Sequence, residues 1–187
     1  MYDFHYNYIK KKFPDSKLLF TDTDSLFYHI KSEKDIYEEF WLDIHLFDNS
    51  DYPDSSKYFS DKNKKVIGKF KDEAAGKLIK EFVGLKSKMY SYTKYLKPED
   101  YKKKEKPEIK KAKGIRTNVV ENQIKHEDYL YVLNNNITMH HQMNTIRSEL
   151  HQINSYHLNK VSLSTYDDKR YLLDDGITSY AYGHYLI

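Results

Sequence analysis

The sequence predicts an α+β fold: an antiparallel sheet with packed helices in residues 1–115, followed by a mixed, mainly helical region in residues 116–187. Two observations support this prediction. Residues 18–30 contain two strand-like segments separated by turn residues. Apolar residues at helical spacing occur before and after this stretch. With 187 residues, of which 39% are hydrophobic and 32% charged, the chain is expected to form one folded domain or a domain with a small appendage.

A β-hairpin is predicted for residues 18–30. Leu18 to Thr21 form an apolar run short enough for a buried strand, and Leu26, Tyr28 and Ile30 share one side-chain parity on the return strand. A helix is predicted over residues 2–13, because apolar side chains recur there at helical spacing and Pro14 ends the pattern.

The rest of the chain alternates between helix and strand patterns. Ser32 is the predicted N-cap of a helix with an apolar stripe over residues 33–47. The segments predicted after it are a loop at 48–65, a strand at 66–71, a short helix or apolar turn at 78–83, a strand at 86–95, a helix at 126–133 and a tail with local strand at 167–187. Residues 138–164 fit helix in one part and strand in another. The lysine-rich residues 97–113 are interpreted as a solvated connector, with a phosphate-facing patch as the alternative.

Composition excludes several classes of protein. No apolar run approaches the ~20 residues needed to cross a bilayer, and the first residues lack the pattern of a signal peptide, so no membrane partner is expected. The absence of cysteine excludes disulfides and cysteine-ligated zinc, and fits an intracellular protein, nuclear if the source is eukaryotic. The histidines show no metal-ligand spacing. A net charge of +3 is too small to indicate a nucleic-acid partner by itself.

Asp22 and Asp24 stand at the centre of the predicted hairpin, two residues apart. In extended chain such residues point to the same side, so the sequence predicts two carboxylates together at the rim of a sheet. Carboxylates held together repel each other unless a cation lies between them, and hard oxygen ligands of this kind suit Mg²⁺. Asp, Thr and Ser are also common turn residues, so a plain hairpin tip is an equally good interpretation of these residues alone.

A second motif, further along the chain, favours the metal site. Phe20-Thr21-Asp22-Thr23-Asp24-Ser25 resembles the palm motif of the family B DNA polymerases, usually written Tyr-x-Asp-Thr-Asp-Ser, with Phe20 in place of the tyrosine. Lys88-Met89-Tyr90, on a predicted strand, resembles the Lys-x-Tyr motif that follows in that family. The flanking stretches at 68–73, 81–86 and 111–115 also fit, and residues 158–164 and 168–185 resemble the carboxyl end of its viral-like, protein-primed branch, carried by large self-synthesising DNA transposons.

The resemblance implies a mechanism and a role for the hairpin residues. In this family a primer 3′-hydroxyl attacks the α-phosphate of an incoming nucleotide, pyrophosphate leaves, and two divalent metals stabilise the attacking and leaving oxygens. By this resemblance Asp24 is expected to ligate Mg²⁺ directly, with Asp22 as a nearby ligand or supporting carboxylate. Thr23 and Ser25 are expected to shape the turn.

The resemblance also implies partners. Lys88 and Tyr90 are expected to hold the primer end and the duplex through sugar–phosphate or minor-groove contacts, which position DNA without reading its sequence. The expected partners are a primer–template DNA and a deoxynucleoside triphosphate. In the protein-primed branch, a terminal protein that supplies the primer is a further expected partner.

Two parts of the family pattern do not precede Phe20 in this sequence: a metal-binding motif of the form Asp-x-x-Ser-Leu-Tyr-Pro, and a fingers helix with a lysine that contacts the nucleotide triphosphate. The chain is therefore expected to be the second half of a palm in residues 1–115, followed by a thumb region and tail in residues 116–187. Nucleotidyl transfer is not expected from this polypeptide alone.

Two other functions fit parts of the sequence. A non-catalytic DNA-binding relic of a mobile-element polymerase would use Lys88, Arg116 and the lysine-rich stretch for nonspecific duplex contact. A small Mg²⁺-dependent phosphatase or nuclease would be built on the two hairpin aspartates, and would need a further acid such as Asp72 or Glu73.

Overall fold

A computed structural model describes residues 1–98, 100, 105–166, 170–181 and 183–187, and shows helices together with several small, mainly antiparallel sheets. The α+β class is therefore confirmed at this level. The chain divides into two compact units, Met1–Lys80 with Lys94–Pro107 and Glu81–Thr93 with Glu108–Ile187, and this division does not coincide with the boundary predicted at residue 115. Parts of two sequence predictions lie outside the described residues: positions 99 and 101–104 of the lysine-rich stretch, and positions 167–169 and 182 of the predicted tail.

The first unit begins with the helix that was predicted over residues 2–13. It consists of a π-helical segment and one α-helical turn, named α1, with the bounds Phe4–Ile9 and Lys10–Lys12. Phe4 packs on two later aromatic residues, its ring centroid lying 3.8 Å from that of Phe70 and 5.9 Å from that of Phe47. Ile9 and Phe13 are buried. The helix is therefore confirmed, and its aromatic face attaches it to the rest of the unit.

Two antiparallel strands form the predicted hairpin: β1 (Lys17–Asp22) and β2 (Ser25–His29). The prediction that its first strand is buried is wrong, because Leu18 and Leu19 are 40% and 44% exposed. An apolar run indicates that a strand gains from burial, but it does not indicate that another layer covers it. The pairing register also shifts between Leu18 and Phe20.

The helix that follows is shorter than predicted and begins later. Its α-helical part is α2, and a 3₁₀ turn comes after it, with the bounds Ile36–Leu42 and Ile44–Leu46. Asp35, rather than Ser32, is the N-cap, because the Asp35 carboxylate accepts a hydrogen bond from the Tyr37 amide at 2.9 Å. The Ser32 hydroxyl instead accepts from the Lys34 amide, ahead of the helix.

Two very short strands pair in parallel after α2: β3 (Phe47–Asp48) and β4 (Phe70–Lys71). The strand predicted over residues 66–71 is thus confined to its last two residues. Residues 49–65 form turns, as predicted. The buried Asp48 carboxylate holds this loop, since it accepts hydrogen bonds from the backbone amides of Ser50 and Lys65 at 3.0 and 3.1 Å.

A three-stranded sheet, most of it in the second unit, occupies a region where strand was only partly predicted. Its strands, in spatial order, are β5 (Ile79–Lys86), β6 (Met89–Lys94) and β7 (Glu108–Ala112). The short helix or turn predicted at 78–83 is wrong, and the last part of the predicted connector is strand β7. The strand predicted at 86–95 is confirmed from Met89 to Lys94.

Two helices and two further strand pairs complete the second unit. They are α3 (Thr117–Asn122), α4 (His126–Asn135), β8 (Thr138–Glu149), β9 (Gln152–Ser164), β10 (Arg170–Leu172) and β11 (Ser179–Ala181). The expectation that residues 116–187 are mainly helical is wrong. Among the described residues of this range, more lie in strands than in helices. The mixed pattern at 138–164 is the long β8–β9 hairpin. No helix in the described part of the chain has the length and apolarity to cross a membrane.

The apolar core of the second unit collects side chains from the sheet, both helices and the long hairpin. Its buried members are Val83, Met89, Ala112, Val119, Val120, Ile124, Tyr129, Val132, Met143 and Leu163. Tyr129 and Leu163 are fully buried, and the Tyr129 hydroxyl donates a hydrogen bond to the Lys111 carbonyl at 3.0 Å. The core therefore joins α4 to β7 by both apolar and polar contact.

Asp43 is the acceptor at the centre of a charge cluster in the first unit. The Tyr8 hydroxyl donates to its carboxylate at 2.8 Å, and the Lys12 ammonium donates to the same oxygen. Lys12 also lies 3.4 Å from the Glu39 carboxylate. Burial by itself raises the pKa of the Asp43 carboxyl, but the hydrogen bonds from Lys12 and Tyr8 outweigh it, so the pKa lies below its ordinary value.

Asp43→Asn is expected to lower the free energy of unfolding by about 1–3 kcal/mol at pH 7, because Lys12 loses a hydrogen-bonded ionic partner. Since the pKa of Asp43 is lower in the folded state, this stabilisation is present above the unfolded value of about 3.9 and disappears as the pH falls through the folded value. Urea unfolding at neutral pH and near pH 2 should therefore show a difference between wild type and variant that shrinks in acid.

Asp51→Asn is the control for this prediction. It breaks an exposed pair with Lys71, in which the atoms lie 2.6 Å apart, and is expected to change the free energy of unfolding by less than about 1 kcal/mol. An effect of Asp43→Asn that is equally large at both pH values would contradict the assignment.

Candidate functional site

Thr23 and Asp24 form the two-residue loop of the first hairpin, because Asp22 pairs directly with Ser25 across it. Thr23 has a left-handed φ of 56°, the conformation that tight hairpin loops demand. The Asp24 amide donates a hydrogen bond to the Asp22 carbonyl at 2.7 Å, and the Ser25 hydroxyl donates to the same carbonyl at 3.1 Å. These bonds hold the four motif residues in one turn.

The prediction that Asp22 and Asp24 share one side of an extended strand is wrong in its premise. Asp22 is the last residue of β1 and Asp24 lies in the loop, so the two-residue period of a strand does not relate their side chains. The Asp22 carboxylate accepts a hydrogen bond from the Thr23 hydroxyl at 3.2 Å, and Asp24 is exposed. The two acids are therefore neighbours through the turn rather than through the pleat.

The turn matches Mg²⁺ in the kind of ligand that it offers. Mg²⁺ binds in proteins through one or two carboxylates and otherwise keeps waters or phosphate oxygens. Among the described residues, no three or more His, Asp or Glu side chains form a group that could hold a metal ion. The described chain therefore offers a pair of carboxylates and not a complete two-metal site.

Asp72 was the further acid that a phosphatase or nuclease would need, and its carboxylate is already engaged. It accepts hydrogen bonds from the backbone amides of Ala74 and Gly76 at 2.9 and 2.7 Å, and from the Tyr52 hydroxyl at 2.9 Å. These bonds close the turn that follows β4. Burial and the negative charge of Asp72 both raise the pKa of the Tyr52 hydroxyl above its ordinary value.

Lys88 lies in a turn and not on the strand where it was predicted. It follows β5 and precedes β6, and its φ of 57° is left-handed. Tyr90 lies on β6 opposite Lys111 of β7. The Tyr90 ring is stacked with that of Tyr92, with centroids 6.5 Å apart and planes 8° apart, and the Phe82 ring lies 6.1 Å away.

Strand β6 separates this aromatic face from the core. Met89 and Ser91 are buried, whereas Tyr90 and Tyr92, which alternate with them along the strand, are half-buried. This is the alternation that a strand requires. Lys111, opposite Tyr90, is exposed. The sheet thus presents stacked aromatic rings beside a lysine, a combination that nucleic-acid-binding surfaces use.

One buried polar cluster in the second unit was not predicted from the sequence. The Ser91 hydroxyl lies 2.9 Å from Nδ1 of His126, and Nε2 of His126 lies 3.4 Å from the Glu81 carboxylate. The three residue types are those of a hydrolytic triad, but Ser91 and His126 are fully buried, so a substrate cannot reach the hydroxyl. The cluster joins β6 to the start of α4. Three separated residues carry no common sequence pattern that predicts such a contact.

The structure brings together the members of each predicted pair. Asp22 and Asp24 share one turn of the first unit, and Lys88 and Tyr90 lie in and beside one turn of the second. Comparisons of the chain with models of protein families, with curated proteins and with solved structures find no match. The family B resemblance therefore depends on the motifs of this chain.

Thr23→Asn is expected to raise the free energy of unfolding by about 0.5–1 kcal/mol, because asparagine adopts the left-handed conformation at lower cost than a β-branched residue. Thr21→Asn is the control: Thr21 lies on β1 opposite Leu26 of β2, where β-branched residues are favoured, so this change is expected to destabilise. Urea unfolding of both variants measures the effect. If Thr23→Asn destabilises the protein, the prediction is wrong. The hydrogen bond from the Thr23 hydroxyl to Asp22 then contributes more to stability than the left-handed backbone costs.

Proposed function

We propose that this chain is the carboxyl-terminal, palm-and-thumb part of a DNA-directed DNA polymerase of family B, of the protein-primed type. The observation that carries the proposal is the position of the Asp22-Thr23-Asp24-Ser25 motif, which occupies the loop of a β-hairpin and keeps both acids in one turn. The exposed carboxylate of Asp24 is accessible to a cation and to the phosphates of a nucleotide.

Bound Mg²⁺ supplies the charge that stabilises the attacking and leaving oxygens when a primer hydroxyl displaces pyrophosphate. The role of this chain is to hold the carboxylates of Asp22 and Asp24 in a fixed turn, from which they bind the ion. The bonds from the Asp24 amide and the Ser25 hydroxyl to the Asp22 carbonyl hold the backbone of this turn. A complete two-metal site would need a further carboxylate, and this sequence contains no Asp-x-x-Ser-Leu-Tyr-Pro motif to supply it.

Contact with the primer–template duplex is assigned to the Lys88 turn and the aromatic face of the three-stranded sheet. A lysine in a turn can approach a phosphate, and the stacked rings of Tyr90 and Tyr92 can pack on sugars or bases. The long β8–β9 hairpin adds support, because a two-stranded ribbon is one of the elements that the DNA major groove admits.

A second candidate function is duplex binding without catalysis. The observation that favours it is the lack of a third acidic or histidine ligand beside Asp22 and Asp24 in the described part of the chain. The basic and aromatic residues of the sheet would serve this function equally well. A phosphatase or nuclease is less well supported, because the carboxylate of Asp72 is bonded within its own turn.

Divalent-ion binding tests the role of the two acids. In an NMR titration with Mn²⁺ as a paramagnetic substitute for Mg²⁺, amide resonances of residues 21–25 are expected to broaden first, because the carboxylates of the turn are the ligands. The double change Asp22→Asn and Asp24→Asn is expected to abolish this broadening, whereas Asp15→Asn, which removes an exposed acid from another loop, leaves it intact. Broadening that persists in the double variant would reject the metal site.

Duplex binding tests the role of Lys88. Fluorescence anisotropy with a primer–template duplex is expected to show an affinity that falls linearly with salt on logarithmic axes. Lys88→Ala is expected to weaken binding several-fold and to reduce the salt slope by about 1, as the loss of one phosphate contact does. Lys57→Ala, which removes an exposed lysine paired with Glu38, is the matched control and leaves both quantities unchanged.

The same assay separates the two candidate functions. If the chain is a polymerase part, Mg²⁺ bound at the Asp22–Ser25 turn strengthens primer–template binding, and Asp24→Asn removes that increment. If it is a binding relic, Mg²⁺ brings no such increment and Asp24→Asn leaves the affinity unchanged.

Primer extension tests whether the chain is sufficient for catalysis. The purified polypeptide, incubated with Mg²⁺, nucleotides and a primer–template, is expected to add no nucleotides, because half of the metal site and the nucleotide-binding lysine are missing from its sequence. Template-dependent extension that is abolished by Asp24→Asn would overturn this expectation.

A further inference from the structure

One face of the long β8–β9 hairpin is open to solvent. Pairing of the two strands is uninterrupted from His140, opposite Val161, to Glu149, opposite Gln152. Side chains alternate along each strand and directly opposite residues share a face, so every second pair belongs to the same face. The residues of this face are all exposed and include no Asp, Glu, Lys or Arg, and together they are called the neutral face: His140, Gln142, Asn144, Ile146, Ser148, Ile153, Ser155, His157, Asn159 and Val161.

The charged residues of the hairpin all lie on its other face. Arg147, Glu149 and Lys160 share that face with Met143, which belongs to the core. A sheet face that meets only water normally carries charged side chains, and 32% of the residues of the whole chain are charged. Depletion of charge on one exposed face is the composition found at the centre of protein–protein interfaces.

Aliphatic side chains occupy both ends of the neutral face. Ile146 and Ile153, near the hairpin loop, are 65% and 79% exposed, and Val161, at the other end, is 42% exposed. Ile146 lies opposite Ser155, and Ser148 lies opposite Ile153, so the two isoleucines are diagonal neighbours. A single exposed aliphatic residue is normal on a protein surface, whereas a group of them on one face indicates a surface that another molecule covers.

His157 orders the centre of the neutral face. Its Nδ1 lies 2.7 Å from the Asn144 side-chain oxygen, and its Nε2 lies 3.2 Å from the Gln142 side-chain oxygen. The three side chains therefore hold one another in place across the two strands. Side chains that are already ordered lose less conformational entropy when a partner covers them, so this centre is prepared for binding.

We propose that the neutral face packs against the neutral face of a second copy of this chain. An uncharged face meets its own copy without repulsion between like charges. Its amide, hydroxyl and imidazole groups both donate and accept hydrogen bonds, so the face is complementary to itself, as a symmetric dimer requires. With the two hairpins antiparallel and the two-fold axis across Asn144 and His157, Ile153 of one copy meets Val161 of the other.

The neutral face has the area that a dimer needs. Exposed side chains of this size each offer on the order of 60–100 Å², so the face presents roughly 600–1,000 Å² per copy, close to the ~800 Å² per partner of a standard interface. The face has no cation with which to contact phosphate, because Arg147 and Lys160 lie on the other side of the hairpin. A duplex would contact that other side, and a second copy suits the neutral face better than nucleic acid does.

This proposal does not depend on the polymerase assignment. None of the residues of the neutral face belongs to the Asp22–Ser25 turn or to the Lys88 turn, and the test is the oligomeric state of the chain rather than its binding of metal or DNA.

Sedimentation equilibrium of the full chain, over a hundredfold range of concentration, tests the proposal. A reversible monomer–dimer equilibrium is expected. Ile146→Lys is expected to weaken dimerisation at least tenfold, because it places a charge in the apolar part of the interface. Leu172→Lys is the matched control: Leu172 is 63% exposed on β10, outside the neutral face, and its change is expected to alter the dissociation constant by less than twofold. Far-UV circular dichroism establishes that each variant is folded.

Cross-linking locates the interface. The chain has no cysteine, so a single introduced cysteine reports on one position. Asn144→Cys lies at the proposed two-fold axis, where it faces its own copy, and is expected to give a covalent dimer with a short bismaleimide. Leu172→Cys, treated in the same way, is expected to remain monomeric on a denaturing gel.

Three results would overturn the proposal: a monomer at every concentration, equal effects of Ile146→Lys and Leu172→Lys on dimerisation, or a cross-linking yield of Asn144→Cys no greater than that of Leu172→Cys. A monomer whose Gln142 and Asn144 side-chain amide resonances shift when a primer–template duplex is added would assign the neutral face to nucleic acid, and would overturn the proposal as well.

Discussion

The burial of Tyr129 is the interaction on which the second unit depends. Its ring is enclosed by apolar side chains from the three-stranded sheet, from α3 and from the long hairpin, and its hydroxyl donates to the Lys111 carbonyl. A fully buried aromatic side chain contributes a large apolar area, and its polar group needs a partner in the same place. One residue therefore satisfies the packing and the hydrogen bonding that join α4 to β7.

The candidate binding surface of this unit is the outer side of elements whose inner sides meet at that core. Met89 and Ser91 point inward from β6, which leaves Tyr90 and Tyr92 on the opposite face. Val119 of α3 and Met143 of β8 point into the same core. Because a strand alternates its side chains, each inward apolar residue decides where the polar or aromatic neighbours lie.

The Asp22–Ser25 turn depends on a different constraint, which is purely local. A two-residue loop closes only if the backbone takes positive φ, and Thr23 accepts that conformation at a cost that asparagine or glycine would not incur. The result is a turn that contains two acids, of which Asp22 is half-buried and Asp24 is exposed. Under the proposed function this pair would form part of a metal site, and a further acid would be needed to complete it.

The sequence by itself determined the features that depend on neighbours in the chain. These are the hairpin at 18–30, the first helix and the helix that became α4, because turn residues and helical spacing act over a few positions. Only the tertiary structure decided that Leu18 is exposed, that residues 79–86 are strand and that residues 138–164 form one hairpin. It also decided the contact between Ser91 and His126, which come from separate segments. The physical reason is that a local pattern reports which face of an element is apolar, whereas burial and site assembly depend on which other element packs against that face.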